Sequence, residues 1–359
     1  MLATTLWKFY TDADQFWSEM LFDIENAKRT VDIEQYIFSL DKVGLKFISL
    51  LKRKAEEGVR VRLLCDASGS AAFFNSGYAD DLRRKGFEII FYNPISLWRL
   101  HNFTSWFFRD HRKITVVDSE IGYTGSLGIK SAMRHWRETS IRLQGPVVAE
   151  MEDAFEQMWK AAAANKKIYS IKRFRHTDLE FRFLTNSAYL RNRFIRKSVI
   201  EAIRSARQYV YLSTPYFVPD LGFFRALRLA ARRKVDVRLL VPASSDHKTI
   251  HVAAASYFGL AFKSGIKVYR YQKKFLHAKT AVIDDAWATV GSANFDNLSF
   301  RYSYEGNIIS INKQFTRELK SHFLADLADS EELKPSVWAK RPFLEKVLEV
   351  LSWPMHNFF

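Results

Sequence analysis

The stretch HRKITVVD, residues 111–118, returns as HAKTAVID at residues 277–284, with histidine, lysine and aspartate in the same places. Of the nine histidines in the chain, only these two have a lysine two positions later and an aspartate closing the octapeptide. The β-branched centre of each copy reads as a strand. Alternation along such a strand puts His111, Lys113 and Thr115 on one face, and likewise His277, Lys279 and Ala281. At matched spacing come a small-residue turn, Gly125-Ser126 and Gly291-Ser292, and then an acid, Glu138 in WRETSIRL and Glu305 in YEGNIIS.

Working outward, the flanks repeat as well. EEGVRVRLLCD parallels RRKVDVRLLVP, and KGFEIIFY parallels SGIKVYRY, each ahead of its own motif. In the first half, TLWKFY alternates like a strand, residues 14–28 carry apolar residues at helical spacing, VDIEQYIF is strand-like, and a helix with Leu45, Ile48 and Leu51 ends at Gly58 before VRVRLL. The second half gives LEFRFL, a basic helix over about residues 187–207, YVYLSTPYF, a helix around FFRALRLAARR, and VDVRLLV. This alternation predicts an α/β protein of two duplicated lobes, each a mainly parallel sheet flanked by helices, related by a pseudo-twofold axis. The boundaries read from sequence are a first lobe over 1–165, a basic linker over 166–179, a second lobe over 180–330 and an amphipathic tail over 331–359.

Composition narrows the function classes. With 359 residues, 48% hydrophobic and 15% aromatic, the chain can bury a full core. Its formal net charge of +16 favours an anionic partner, phospholipid or nucleic acid. The single Cys65 forms no internal disulfide, and at the end of the apolar run VRVRLLC it reads as a buried thiol. The N-terminus lacks the basic-then-apolar pattern of a secretory signal. The longest apolar run, residues 252–262, falls short of the ~18 residues of a spanning helix, so any action on a membrane is expected from its surface.

Two copies of an imidazole and an ammonium on strands suit phosphodiester chemistry. Such a reaction needs a nucleophile, an acid for the departing oxygen and positive charge around the other phosphate oxygens. Neutral imidazole attacks phosphorus, and a protonated one delivers a proton to the leaving alkoxide. One motif supplies one histidine, which explains the repetition. Lys113 and Lys279 then hold phosphate oxygens, the Ser126 and Ser292 hydroxyls add hydrogen bonds, and Glu138 and Glu305 fix the second ring nitrogens. Asp118 and Asp284, at the strand ends, are expected to support the loop rather than touch substrate. Nothing in this scheme requires a metal or another cofactor.

The pattern H-x-K-x4-D followed by G-S resembles the phospholipase D superfamily over both halves, and it looks closest to the bacterial cardiolipin synthases through HRKITVVD, HAKTAVIDDAWATVGSANFDNLSF and the tail RPFLEKVLEVLSW. The resemblance implies the phospholipase D fold and a metal-independent ping-pong reaction through a covalent phosphohistidine. It assigns His111 as nucleophile and His277 as general acid, then base. It implies transfer of a phosphatidyl group to phosphatidylglycerol, with phosphatidylglycerol or phosphatidylethanolamine as donor; hydrolysis to phosphatidic acid and nuclease action are the alternatives within the superfamily. Asn294, after the second Gly-Ser, fits the family's phosphate-binding asparagine, whereas Gly128 stands at that place in the first half.

Two segments point towards an anionic phospholipid membrane, with the chain peripheral on its cytoplasmic face. Trp98, Phe103, Trp106, Phe107 and Phe108, beside Arg99 and Arg109, read either as a loop entering the lipid interface or as a flap over the site. In the tail, Phe343, Leu344, Val347, Leu348 and Leu351 share a helical face next to Lys340, Arg341 and Trp353. Arg191, Arg193, Arg196 and Lys197 form a basic helix face open to a nucleic-acid reading, with a solvated face favoured. His247 and His251, four apart but without a third ligand, read as surface or pocket residues.

Overall fold

The computed structural model describes residues 4–95, 108–166, 178–188, 193–244, 248–343 and 346. The expected linker therefore lies almost wholly outside the described residues, as do Trp98, Phe103, Trp106, Phe107, Trp353, His247 and most of the tail.

The first lobe contains β1 (Leu6–Tyr10), β2 (Thr30–Gln35), β3 (Arg60–Asp66), β4 (Glu88–Tyr92), β5 (Lys113–Val117), β6 (Ile121–Gly125), β7 (Trp136–Arg137) and β8 (Ser140–Gln144). The second contains β9 (Phe181–Asn186), β10 (Tyr209–Ser213), β11 (Asp236–Pro242), β12 (Lys267–Tyr271), β13 (Phe275–Leu276), β14 (Thr280–Ile283), β15 (Trp287–Gly291), β16 (Glu305–Ser310) and β17 (Ser330–Glu332). The sheet orders are β1-β8-β6-β5-β2-β3-β4 and β9-β16-β15-β14-β10-β11-β12, with β17 added at the far edge of the second. Taken in that order, the two sheets are the same design, as the repeated sequence requires. Because β17 pairs with β12, the second sheet extends past the boundary read at residue 330.

The sheets are mixed, which corrects the mainly parallel expectation. Only β2-β3-β4 and β10-β11-β12 run parallel, joined by the helices Lys42–Glu56, Leu221–Arg232 and Lys248–Lys263 among others. Each motif strand instead runs antiparallel to its neighbours and opens a hairpin, β5 with β6 and β14 with β15. The hairpin turns put Asp118-Ser119 and Asp284-Asp285 in the left-handed region, at φ of 53° and 60°, and 54° and 51°. Aspartate tolerates that region better than most residues. Its side chain is then used: Asp118 accepts from the backbone N–H groups of Lys28, Arg29 and Thr30 at 2.7, 2.7 and 2.8 Å. Asp284 accepts from Arg207, Gln208 and Tyr209 at 2.6, 2.9 and 2.8 Å.

Three of the four apolar clusters among the described residues hold these parts in place. Helices Ala13–Glu25 and Lys42–Glu56 pack Phe16, Trp17, Met20, Phe47 and Leu51 on the outer face of the first sheet. Helices Phe194–Ser205, Leu221–Arg232 and Lys248–Lys263 do the same for the second, where Trp338 packs edge-on to Phe258 and Phe262. The third core joins the lobes: Ile114, Val116, Ile141 and Leu143 of the first sheet meet Phe181, Phe183, Val282, Val290 and Ile308 of the second. Helices Val147–Ala163 and Lys313–Ala328 complete it with Met151, Phe315 and Phe323. Cys65 is buried and free, and burial pushes its thiol pKa up.

Candidate active site

Each histidine sits at the entrance to its motif strand, on a short segment that has added itself to the other lobe. Residues 109–111 run parallel to the stretch before Glu305: Tyr304 donates its N–H to Arg109 O at 2.9 Å, and His111 donates to Tyr304 O at 3.0 Å. In the second copy β13 lies parallel to β7, and His277 donates its N–H to Arg137 O at 2.9 Å. This crossed pairing aligns each imidazole with the glutamate of the opposite lobe. His111 Nδ1 lies 3.1 Å from both carboxylate oxygens of Glu305, and His277 Nδ1 lies 2.6 Å from Glu138 Oε1. With Nδ1–H donated to a carboxylate, Nε2 keeps its lone pair for phosphorus or for a proton.

The carboxylates are fixed from behind by their own lobes. The Ser126 hydroxyl donates to Glu138 and the Ser292 hydroxyl to Glu305, and Ser292 Oγ accepts from Gly306 N at 3.0 Å. Both serines are fully buried, so their hydroxyls act on the glutamates here rather than on an open phosphate pocket. Asn294 is nearly buried, donates its backbone N–H to Ser299 Oγ at 3.2 Å and leaves Oδ1 without a partner among the described residues. The first-half Gly128 does not take a positive φ. It is a packing glycine: a Cβ there would stand 3.1 Å from Ile37 O and 3.3 Å from Met133 Sδ.

Each lysine rests on the histidine of its own motif. Lys113 Nζ donates to His111 O at 2.6 Å and stands 5.2 Å over the Tyr36 ring. Lys279 Nζ donates to His277 O at 2.8 Å and lies 3.0 Å from His277 Nε2. Lys279 acts electrostatically on His111 and on Lys113, and Lys113 acts on His277, so the two motifs form a single site. Burial, reinforced by Lys279 and opposed by Glu305, brings Lys113 down to about 7. Burial and then Lys279 hold His277 down to about 4 against the pull of Glu138. Burial likewise lowers His111, which Glu305 partly offsets. For Glu138, burial works upward, but His277, Lys279 and Ser126 together outweigh it and the carboxyl ends below its usual value. Burial thus disfavours the charged form of both imidazoles, and a neighbouring anion favours it.

Several contacts carry no repeated sequence signal. The Tyr36 ring lies 4.8 Å from His111 and the Trp136 ring 4.8 Å from His277, limiting how each imidazole turns. Arg109 turns inward, with Nη2 2.8 Å from Asp66 Oδ1, which corrects its place in a lipid-facing loop: a guanidinium nearly out of solvent requires the buried carboxylate. Phe108 is half-buried and stacks on Tyr302 at 6.1 Å. Asp118 and Asp284, described above, tie loops at the far ends of the motif strands and donate nothing to the site.

The family model described as cardiolipin synthase, PLD-like domain matches residues 20–159 and 199–327, spanning both motifs. The chain belongs to this family. A cardiolipin synthase of Listeria monocytogenes serotype 4a (strain HCC23) is 32% identical over 362 residues, covering 96% of this chain and 73% of that protein. Cardiolipin synthase 1 of Bacillus cereus (strain ATCC 14579) is 31% identical, covering 96% of this chain and 71% of its own length. Among solved structures, the phosphatidylserine synthase of Haemophilus influenzae Rd KW20 aligns with a TM-score of 0.74 at 14% identity, covering 98% of this chain and 92% of that one. The polyphosphate kinase of Porphyromonas gingivalis aligns at 0.63, also at 14% identity, over 99% of this chain and 53% of that one. At such identities these two structures speak for the fold alone. The chain is thus a phospholipase D-type family member with both lobes and both motifs present.

Proposed function

We propose that this chain is a phosphatidyltransferase that makes cardiolipin by a two-step exchange. The observation that carries the reading is the crossed arrangement, in which His111 rests on Glu305 and His277 on Glu138 with both lysines acting on both rings. In the first step His111 Nε2 attacks the phosphorus of a phosphatidylglycerol donor. The N–P bond forms, the P–O bond to glycerol breaks, and His277 gives its Nε2 proton to the departing oxygen. In the second, a hydroxyl of another phosphatidylglycerol attacks the phosphohistidine and returns its proton to His277, while the P–N bond breaks and His111 is regenerated. Lys113 and Lys279 hold the phosphate oxygens. The His111 side chain is 19% exposed and His277 9%, which favours His111 as the residue that phosphorus reaches.

A negative phosphate beside His277 and Lys113 favours their charged forms. Phosphatidylethanolamine as donor would use the same steps with ethanolamine leaving. Such lipids oblige the chain to work at a membrane surface, and its +16 charge favours an anionic leaflet such as the cytoplasmic one. Among the described residues, no helix is long and apolar enough to cross a bilayer.

The test is direct: protein mixed with phosphatidylglycerol vesicles should release cardiolipin and glycerol. Phosphatidic acid as the sole lipid product would make it a hydrolase instead. His111→Ala and His277→Ala should each lower the rate by at least about a thousandfold. With labelled donor at low pH, only His277→Ala should retain label on the protein. Label retained by His111→Ala instead would exchange the two roles.

A further inference from the structure

Beside the catalytic pair, the second sheet carries a row of side chains that the steps above leave unused. Asn186 lies directly opposite Glu305 in the antiparallel pair β9-β16, and Arg193 bridges antiparallel to Asn186. Directly opposed residues of antiparallel strands project to the same face. Glu305, Asn186 and Arg193 therefore form a line across the sheet on the face that holds His111. At strand spacings of about 4.8 Å, Arg193 stands about 10 Å from the glutamate.

A second guanidinium joins the end of this row. Arg301 closes the helix Asn297–Arg301 just upstream of Glu305, and its charge acts on Arg193. Among the described residues neither arginine forms an ion pair with a carboxylate, and Arg301 Nε is buried without a partner. The carboxylate of Asp220, which also acts on Arg193, is engaged by Arg196 at 2.6 Å through two hydrogen bonds. Asn186 Oδ1 accepts from Ile195 N at 3.1 Å, which leaves Nδ2 as a buried donor without a partner among the described residues. Burial and the charges of Arg301 and Arg196 hold Arg193 below its ordinary pKa. Like charges kept together with spare donors are costly alone and favourable around an anion, and a guanidinium fork matches phosphate oxygens in pairs.

We propose that Arg193, Arg301 and Asn186 form a second phosphate subsite, which takes the phosphodiester of the acceptor lipid while its free hydroxyl reaches the phosphohistidine. The assignment rests on the transferase reading above and deepens it. In cardiolipin a single glycerol joins the two phosphates, so with one phosphorus at His111 the other must lie within a glycerol's reach, where this row stands. Water carries no phosphate and gains nothing from the subsite. The row thus favours the lipid hydroxyl over water as the second nucleophile.

The test uses the full chain with short-chain dihexanoylphosphatidylglycerol, reading cardiolipin against phosphatidic acid. Arg193→Gln and Arg301→Gln should each raise the ratio of phosphatidic acid to cardiolipin about tenfold and raise KM for the acceptor, with Arg193→Lys recovering part of the loss. Arg204→Gln, exposed at the far end of the same helix as Arg193, should leave the ratio as in the unaltered protein. A binding arm needs no turnover: phenylglyoxal modification read by mass spectrometry should find Arg193 and Arg301 protected by the same lipid. An unchanged ratio together with unprotected arginines overturns the subsite while leaving the transferase in place. If the unaltered protein makes no cardiolipin, the transferase reading fails, and protection of both arginines would still establish the anion site.

Discussion

Glu138 and Glu305 serve histidines that the sequence does not place beside them. A twofold repeat reads identically whether each acid serves its own lobe or the other, because both arrangements contain the same residues at the same spacings. Only the crossed strand pairing of 109–111 with 304–305 and of β13 with β7 decides it. Glu305→Gln should therefore disturb the ring nitrogens of His111 and spare His277, and Glu138→Gln should do the reverse, read by nitrogen NMR of histidine-labelled protein. Each should cost about a hundredfold in rate, the scale of one positioned acid-base partner. Perturbation of the histidine in the same lobe would refute the exchange. His277 also makes stability pH-dependent. Its folded value of about 4 lies below the 6.5 of a free imidazole, so between those values the unfolded chain takes up a proton that the folded one refuses. Stability should therefore fall as pH drops from 6.5 towards 4, by about 3 kcal/mol from this group. In urea titrations His277→Gln should remove that share of the slope; an unchanged slope would mean the histidine is not held neutral.

At the scale of elements, the turn aspartates explain both a success and a miss. The order of strands and helices was legible because each carries its own periodicity, and Gly58, at φ of 87°, ends its helix as its position suggests. The hairpins after the motifs were not legible. Their turns, DSE and DDA, contain neither glycine nor asparagine, the usual marks of a left-handed turn, so the strand-helix alternation of the flanks governs the reading and the sheets read as mainly parallel. The motif aspartates accept that backbone and repay it with three N–H bonds to the preceding lobe strand. Asp118→Ala and Asp284→Ala should each destabilise the fold by about 2 kcal/mol, with three donors losing one charged acceptor at a part-exposed site. The lowered melting temperature should come with near-normal kcat in molecules that remain folded. A loss of kcat without a stability change would place these carboxylates in the chemistry instead.

Across the whole molecule, the lobes share more than a pseudo-twofold axis. The central core is built from both sheets, and polar contacts cross it: Arg137 Nε meets Asp326 at 2.6 Å and Phe183 N donates to Glu150 at 2.7 Å, both buried, and Trp7 Nε1 donates to Glu318 at 2.9 Å at a part-buried edge. Arg137 ties the site to this seam, since its carbonyl receives His277 N–H while its side chain holds the helix Lys313–Ala328. Separating the lobes would expose both inner sheet faces and strip each histidine of its glutamate, so an intermediate with one lobe folded lacks half of its core and all of its site. We accordingly expect one cooperative transition, with tryptophan fluorescence, far-ultraviolet circular dichroism and loss of cardiolipin formation coinciding along a urea titration. Asp326→Ala, which leaves Arg137 buried without its carboxylate, should move that single midpoint down by a few kcal/mol, on the scale of a broken buried pair. Two separated transitions, with activity following only the first, would mean that the lobes stand independently and that the shared core contributes little to holding the site together.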